Sequence, residues 1–545
     1  MLKREPRRTQ SNTKVGIVAI SFVLLCVLGG NSPFAFELKD SCGLGYAEGH
    51  SMIKIAVLVL LLTVLAGCGG GSMTTTTTGN PPTGSIAVTV SNTSAGPFSV
   101  AMSTSFQPAE WDYRFFANFP AATTPLGSLL PQHVRLQPVS QGVPQKADQS
   151  WDFTMLNAIL DPVISVADKS PELQLATAPA WMDNSSGSLL PAHFSDFAAY
   201  SAEMVSYYNT TTGFRDANGV NHVHSALTPI TYWGIFNEPN FNNMNSTQYT
   251  LLYNMTVPAM QAADPTIKFA AVELGDYDGL AQTYLPAFVN GVSAHVDVLA
   301  THFYSTCNKS DSDSKLFSTI PGFVSEVKII YSQLGTNPSL TNVPVWVTEN
   351  NVNADFDKGG GISNCNGNAF VADARGSSAF FAAWRPYVFS QLGKAGVRAL
   401  YHWAFNGDKQ YGEFSDTSGN LQLSYWVDYY LARMFPSTAG SNLLQFTSAD
   451  NSDIEVLPVR NADGSAVVMI ADYAVANASD NNGVGIARTV SVNVSALGSF
   501  SSASLLMIDA NTNASTGPTA TSVVPTSPIT VTLGGYGVAF LKLQP

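Results

Sequence analysis

Two short runs each place a carboxylate just past an apolar stretch. Gly234-Ile235-Phe236-Asn237-Glu238-Pro239-Asn240 carries Glu238, and Val345-Trp346-Val347-Thr348-Glu349-Asn350 carries Glu349. Two carboxyls of this kind can divide acid–base work, one holding a proton and the other staying ionised. Glycosidic bond hydrolysis needs such a pair: the leaving oxygen must be protonated while the oxocarbenium-like centre is met by a negative charge. Other polar groups close similar runs: Arg135 in His133–Gln137, His302 and Tyr304 in Thr301–Tyr304, and Trp403 in Tyr401–Trp403.

Residues so far apart in sequence act together only if regular elements carry them to one place. Eight β-rich runs recur: Phe98–Ser105, His133–Pro138, Leu173–Ala178, Ile230–Asn237, Lys268–Leu274, Val296–Tyr304, Val345–Asn350 and Arg398–Phe405. Between them, apolar residues at helical spacing predict helices over Asp152–Ala167, Phe194–Tyr208, Thr247–Ala263, Phe323–Leu334 and Ala379–Ala395. Apolar strands alternating with helices predict a parallel sheet, and eight of them a (β/α)₈ TIM barrel over 98–438. Reactive groups in such a barrel stand where strands end, so Glu238 on the fourth strand and Glu349 on the seventh face one cleft. From residue 439 to 545 the pattern changes to short alternating runs (Leu443–Phe446, Ile454–Val459, Ala466–Ala471, Val490–Val494, Leu505–Ile508, Ile529–Leu543) between Asn-, Ser- and Gly-rich turns, which predicts a β-sandwich. Ile86–Val90, in the 85–97 segment, alternates in the same way and is a candidate to join it.

Rival sites are weaker. Glu273 precedes the expected end of the fifth strand and belongs to neither motif. Asp276 and Asp278 flank Tyr277 in the loop that follows, where solvation is the simpler reading. His222 and His224 lack a cysteine or carboxylate at ligand spacing, and no G-x-G-x-x-G follows a strand, so neither metal nor cofactor is expected.

The order Asn-Glu-Pro after strand four and Glu after strand seven resembles the clan A glycoside hydrolases. Tyr232–Asn240, Val298–Tyr304 and Val345–Asn350 are most similar to glycoside hydrolase family 39, in which a barrel is joined to a sandwich. The resemblance implies a retaining mechanism with Glu238 as acid/base and Glu349 as nucleophile. It makes Asn237 a partner of the substrate 2-hydroxyl and sets Tyr304 and His302 near the nucleophile. Arg135 becomes the cation that keeps the nucleophile ionised, and Trp403 the floor of the sugar site. Trp181 and Trp111 are candidate further platforms; the third strand departs from a common clan pattern, ending Ala176-Thr177-Ala178-Pro179-Ala180-Trp181 where some relatives carry a polar or His residue. β-Xylosidase, α-L-iduronidase and exopolysaccharide glycosidase are the activities it brings. An endo-acting glycanase on an exopolysaccharide and a non-catalytic glycan-binding lipoprotein are the competing readings.

The resemblance makes a carbohydrate the partner, and composition argues against nucleic acid. The 545 residues carry 26 Lys+Arg against 39 Asp+Glu, a net charge of −13 that repels nucleic acid. Two apolar runs, Val15–Gly30 and Ile53–Ala66, are each shorter than the ~20 residues that span a bilayer. The second, opened by Met52 and Lys54 and closed by Leu65-Ala66-Gly67-Cys68, resembles a bacterial lipoprotein signal over 1–67, with Cys68 lipidated. A Thr/Gly/Pro-rich tether to Gly84 would follow, and the protein would be exported, touching the membrane by its lipid alone. Past Cys68 the only cysteines are Cys307 and Cys365, in loops of adjacent βα units, which predicts a disulfide joining two walls of the cleft.

Overall fold

The computed structural model describes residues 85–545 apart from short stretches at 107–112, 140–141, 167–170, 185–187, 226–228, 276–279 and 450–452. Cys68, Trp111 and the Asp276–Asp278 run lie outside the described residues. The chain opens on β1 (Ile86–Pro97). It then closes a barrel from β2 (Ala101–Ser105), β3 (Val134–Leu136), β4 (Glu172–Leu175), β5 (Tyr232–Ile235), β6 (Lys268–Leu274), β7 (Val298–Thr306), β8 (Val345–Asn353) and β9 (Ala399–Trp403), all neighbours running parallel. A helix follows each strand: α1 (Thr123–Leu129), α2 (Thr154–Val166), α3 (Phe194–Asn209), α4 (Ser246–Ala263), α5 (Leu280–Gly291), α6 (Asp313–Leu334), α7 (Ala379–Lys394) and α8 (Leu423–Met434). The fold is therefore the TIM barrel expected.

Four helices depart from the sequence reading. α6 begins ten residues before Phe323, because the Ser312 side chain accepts from the Lys315 N–H and caps its first turn. Asp313–Lys315 consequently form its first turn. α1, α5 and α8 were not anticipated.

The barrel interior is stratified. Lower down, His133 stacks on Trp346 with ring centres 4.5 Å apart, and Tyr232 and Tyr401 pack beside them. Above that layer the interior turns polar, with Thr104, Arg135, Glu172, Gln174, Glu273, His302 and Thr348 all buried. Such a layer is stable only if its members satisfy one another, because buried charge without a partner is expensive.

The C-terminal strands are β10 (Asn442–Ser448), β11 (Ile454–Arg460), β12 (Ala466–Asp472), β13 (Arg488–Asn493), β14 (Ser502–Asp509), β15 (Thr521–Val523), β16 (Ile529–Leu533) and β17 (Gly537–Gln544). With β1 they form a nine-stranded sheet in the order β15-β14-β17-β12-β11-β10-β1-β13-β16. β10 meets β11 over only Asn442↔Arg460 and Leu443↔Val459, and there the sheet bends over itself. Val88, Val90, Val456, Val468, Val490, Val531 and Leu541 fill the space between its halves. The expected single run Ile529–Leu543 is two strands, because Gly534-Gly535 breaks it. Gly535 takes φ +150°, and a Cβ there would lie 2.0 Å from the Val484 carbonyl oxygen.

Alternation fails as a description of the central strands. β12 is buried at every residue, with Val468 and Ile470 facing the sandwich interior while Val467 and Met469 join the barrel core with Leu457, Leu506 and Phe540. Helix α7 lies in that seam and is buried nearly all round. Glu455 of β11 accepts from Ser390, Gln391 (2.8 Å) and Lys394 of α7, and Tyr387 stacks on Tyr473 at 4.3 Å. Barrel and sheet thus share one core. Phe540→Ala, which opens a cavity in it, is expected to cost about 3–5 kcal/mol. Urea unfolding followed by tryptophan fluorescence and far-UV circular dichroism should show this loss in a single coincident transition.

Candidate active site

The two carboxylates reach one point by irregular backbone. Regular pairing of β7 with β8 slips between Val347 and Glu349, so that Glu349 comes to lie beside His302. A second slip in β6, with Val272 at φ +78° and Glu273 at φ +48°, turns the Glu273 side chain inward. After β5, Phe236 (φ +64°) and Glu238 (φ +43°) are also left-handed, and the Glu238 N–H donates to the Glu273 carbonyl at 3.1 Å. Non-glycine residues in this region carry a conformational cost and collect where side chains must be aimed. Gly275 gives Glu238 its space: a Cβ there would stand 2.5 Å from Glu238 Oε1.

Arg135, fully buried, organises the cluster. Its Nη1 donates to Glu349 Oε1 at 2.9 Å and to Gln137 at 2.8 Å, and its Nη2 donates to Asn237 Oδ1 at 2.7 Å. Glu273 lies 3.5 Å from Nη2 and Glu172 3.7 Å from Nε. The Tyr304 hydroxyl donates to Glu349 Oε2 at 2.9 Å. His302 spans Glu238 (Nδ1, 2.8 Å) and Glu273 (Nε2, 3.2 Å), with Glu349 3.6 Å away. One oxygen each of Glu238 and Glu349 and a His302 nitrogen all fall within 4.8 Å of one another. Glu238 faces the opening with 27% of its side chain exposed, against 7% for Glu349.

The charges sort by environment. Burial works against a charged His302, but Glu349, Glu238 and Glu273 outweigh it and push its pKa up to about 10. Burial also opposes an ionised Glu273, and there Arg135 and His302 prevail, holding it down to about 2. Glu172 goes the other way, pushed up to about 8 by burial and by the Glu273 charge despite Arg135 and a 2.8 Å bond from the Tyr401 hydroxyl. Burial raises Glu349 above the usual carboxylate range, while His302 and Arg135 pull against that rise. At neutral pH the cluster therefore holds two cations, Arg135 and His302, facing the Glu273 anion and the Glu238–Glu349 pair.

Behind Glu349, the Arg385 guanidinium donates to Asp428 (2.9 Å) and to the Asn350 side-chain carbonyl, while the Asn350 amide donates to the Phe303 carbonyl at 2.7 Å. This network fixes the residue next to the carboxylate. Trp403 stands partly exposed at the end of β9. The Trp181 indole N–H donates to Gln145 at 3.2 Å and its ring meets His193 edge-on. His222 and His224 do face carboxylates, Asp216 at 3.0 Å and Asp161 at 2.8 Å, one apiece in simple pairs. Cys307 and Cys365 are joined in a disulfide with Cα atoms 6.0 Å apart.

Sequence reasoning undervalued Glu273, which accepts from Thr348 (2.5 Å) and His302 at the centre of the cluster. It missed Glu172, Gln137 and Gly275 altogether. Only an unpaired slip in β6 turns Glu273 inward, and no residue pattern announces it.

No protein-family model matches the chain, and no curated protein does. Solved structures share its fold. A GH39 β-xylosidase from Caulobacter crescentus matches 85% of this chain and 100% of its own at TM-score 0.55 and 14% identity. The GH39 enzyme from Xanthomonas axonopodis pv. citri matches 85% and 98% at TM-score 0.58 and 14% identity. A GH51 α-L-arabinofuranosidase from Thermotoga petrophila matches 84% and 100% at TM-score 0.58 and 13% identity. All are clan A glycoside hydrolases.

The raised His302 pKa links stability to pH. Folding lifts it from its ordinary 6.5 to about 10, so its contribution is complete below about 6.5 and disappears as pH climbs through about 10. Urea midpoints should fall from pH 6.5 to pH 9.5 in the wild type and fall less in His302→Asn.

Proposed function

We propose that this protein is a retaining glycoside hydrolase with Glu238 as acid/base and Glu349 as nucleophile. The observation that carries the reading is the approach of the two carboxylates to within 4.8 Å, oxygen to oxygen. Double displacement uses carboxyl groups about 5–5.5 Å apart, whereas direct attack by water needs about 6.5–9.5 Å between them. In the first step Glu349 bonds to the anomeric carbon, the glycosidic C–O bond breaks, and the Glu238 proton passes to the departing oxygen. In the second, Glu238 takes a proton from water as that water attacks the same carbon and frees Glu349.

The surroundings suit these roles. Glu238 sits nearer solvent, where it can exchange its proton between steps. Glu349 is held by Arg135 and the Tyr304 hydroxyl, two donors to its ionised form. Asn237 accepts from Arg135 through its carbonyl, which leaves its amide N–H groups to meet a sugar hydroxyl. Trp403 supplies an aromatic face for the sugar ring. β-Xylosides are the first substrates to test, since two of the structural neighbours are β-xylosidases.

Glu349→Gln should lower turnover of aryl glycosides at least about a thousandfold, within the range of losses seen when a catalytic nucleophile is removed. Wild-type enzyme treated with a 2-fluoro glycoside should carry the label on the Glu349 peptide by mass spectrometry. A label elsewhere, or a variant within tenfold of wild type, removes the assignment. Export by lipidation belongs to the same reading: the membrane fraction should yield a chain beginning at acylated Cys68, and Cys68→Ala should release it.

A further inference from the structure

Phe241 is the most exposed aromatic residue in the described chain. Half of its surface, 52%, is open to solvent, while every other described Phe, Tyr and Trp is buried or partly buried. Singly exposed apolar residues are ordinary on a protein surface, so what sets Phe241 apart is where it stands.

That placement is rigid and adjacent to the chemistry. The Phe241 N–H donates to the Glu238 carbonyl at 2.9 Å, closing the turn that begins at the acid/base. The Asn242 amide donates to the Asn237 (2.9 Å) and Glu238 (3.1 Å) carbonyls. Asn240 clamps the turn to the end of β6, donating to the Gly275 carbonyl at 2.7 Å and accepting from the Gly275 N–H at 3.1 Å. A Cβ on Gly275 would stand 2.5 Å from Glu238 Oε1 and 2.6 Å from Phe241 Cε2, so carboxyl and ring edge lie side by side over one glycine.

We infer that Phe241 is the platform for the leaving group: a second sugar unit whose apolar C–H face rests on the ring while Glu238 protonates the bond joining the two sugars. The inference rests on the glycosidase reading and adds to it a site for a saccharide on the leaving side. The position follows from the chemistry. The acid must stand beside the departing oxygen, so a ring next to the acid meets the departing group. An aromatic ring presents a broad, rigid apolar surface that loses little conformational freedom on binding.

The test compares xylobiose with β-xylosyl fluoride, whose leaving group has no ring to stack. Phe241→Ala is expected to lower the ratio of kcat/KM for xylobiose over that for the fluoride at least about tenfold, chiefly through KM, and Phe241→Trp to keep it within threefold. An unchanged ratio in Phe241→Ala, whether both rates hold or both fall together, overturns the platform and leaves the glycosidase reading intact. Wild-type enzyme that hydrolyses neither these two compounds nor the matching arabinosyl and glucosyl pairs overturns the glycosidase reading, and the platform with it.

Discussion

A guanidinium buried in the mouth of the barrel is the constraint on which the site depends. Arg135 cannot shed its charge, and no water reaches it, so the surrounding strands must answer it with carboxylates. Three do: Glu172, Glu273 and Glu349. They do not share the task equally. Glu273 keeps its negative charge deep in the barrel, Glu172 retains a proton, and Glu349 stands where Arg135 and His302 oppose the burial that would neutralise it. Removing the arginine would leave the buried anions with His302 as their one remaining cation, which costs more than the pairing itself contributes.

His302 completes this arrangement by joining its two sides. One ring nitrogen reaches Glu238 at the opening and the other the fully buried Glu273, so a single imidazole ties the two carboxylates together. The geometry that permits this is strained. Left-handed backbone at Phe236, Glu238, Val272 and Glu273 gathers at the ends of β5 and β6. The regular strands beneath, and the core shared with the C-terminal sheet, hold these segments in place.

Much of the architecture could be read along the chain. All eight barrel strands were foreseen, as were the helices from Phe194, Ser246 and Ala379, because apolar spacing survives in sequence. The C-terminal sheet was harder. β11, β12 and β17 are apolar on both faces because one face meets the sandwich interior and the other meets α7 and the barrel. Strand alternation assumes one wet face, and these strands have none.

The sequence by itself determined the barrel, the strand ends that bear Glu238 and Glu349, and the residue types Arg135, Asn237, His302 and Tyr304, since each lies in a run whose period and terminus are local properties. Only the tertiary structure decided how those groups meet. The inward turn of Glu273, the opposite protonation of Glu172 and Glu273, and the ring of Phe241 beside Glu238 all arise from backbone slips and from burial. Both depend on neighbours dozens to hundreds of residues away. Local pattern fixes which groups reach the rim, and three-dimensional packing fixes their charge and aim.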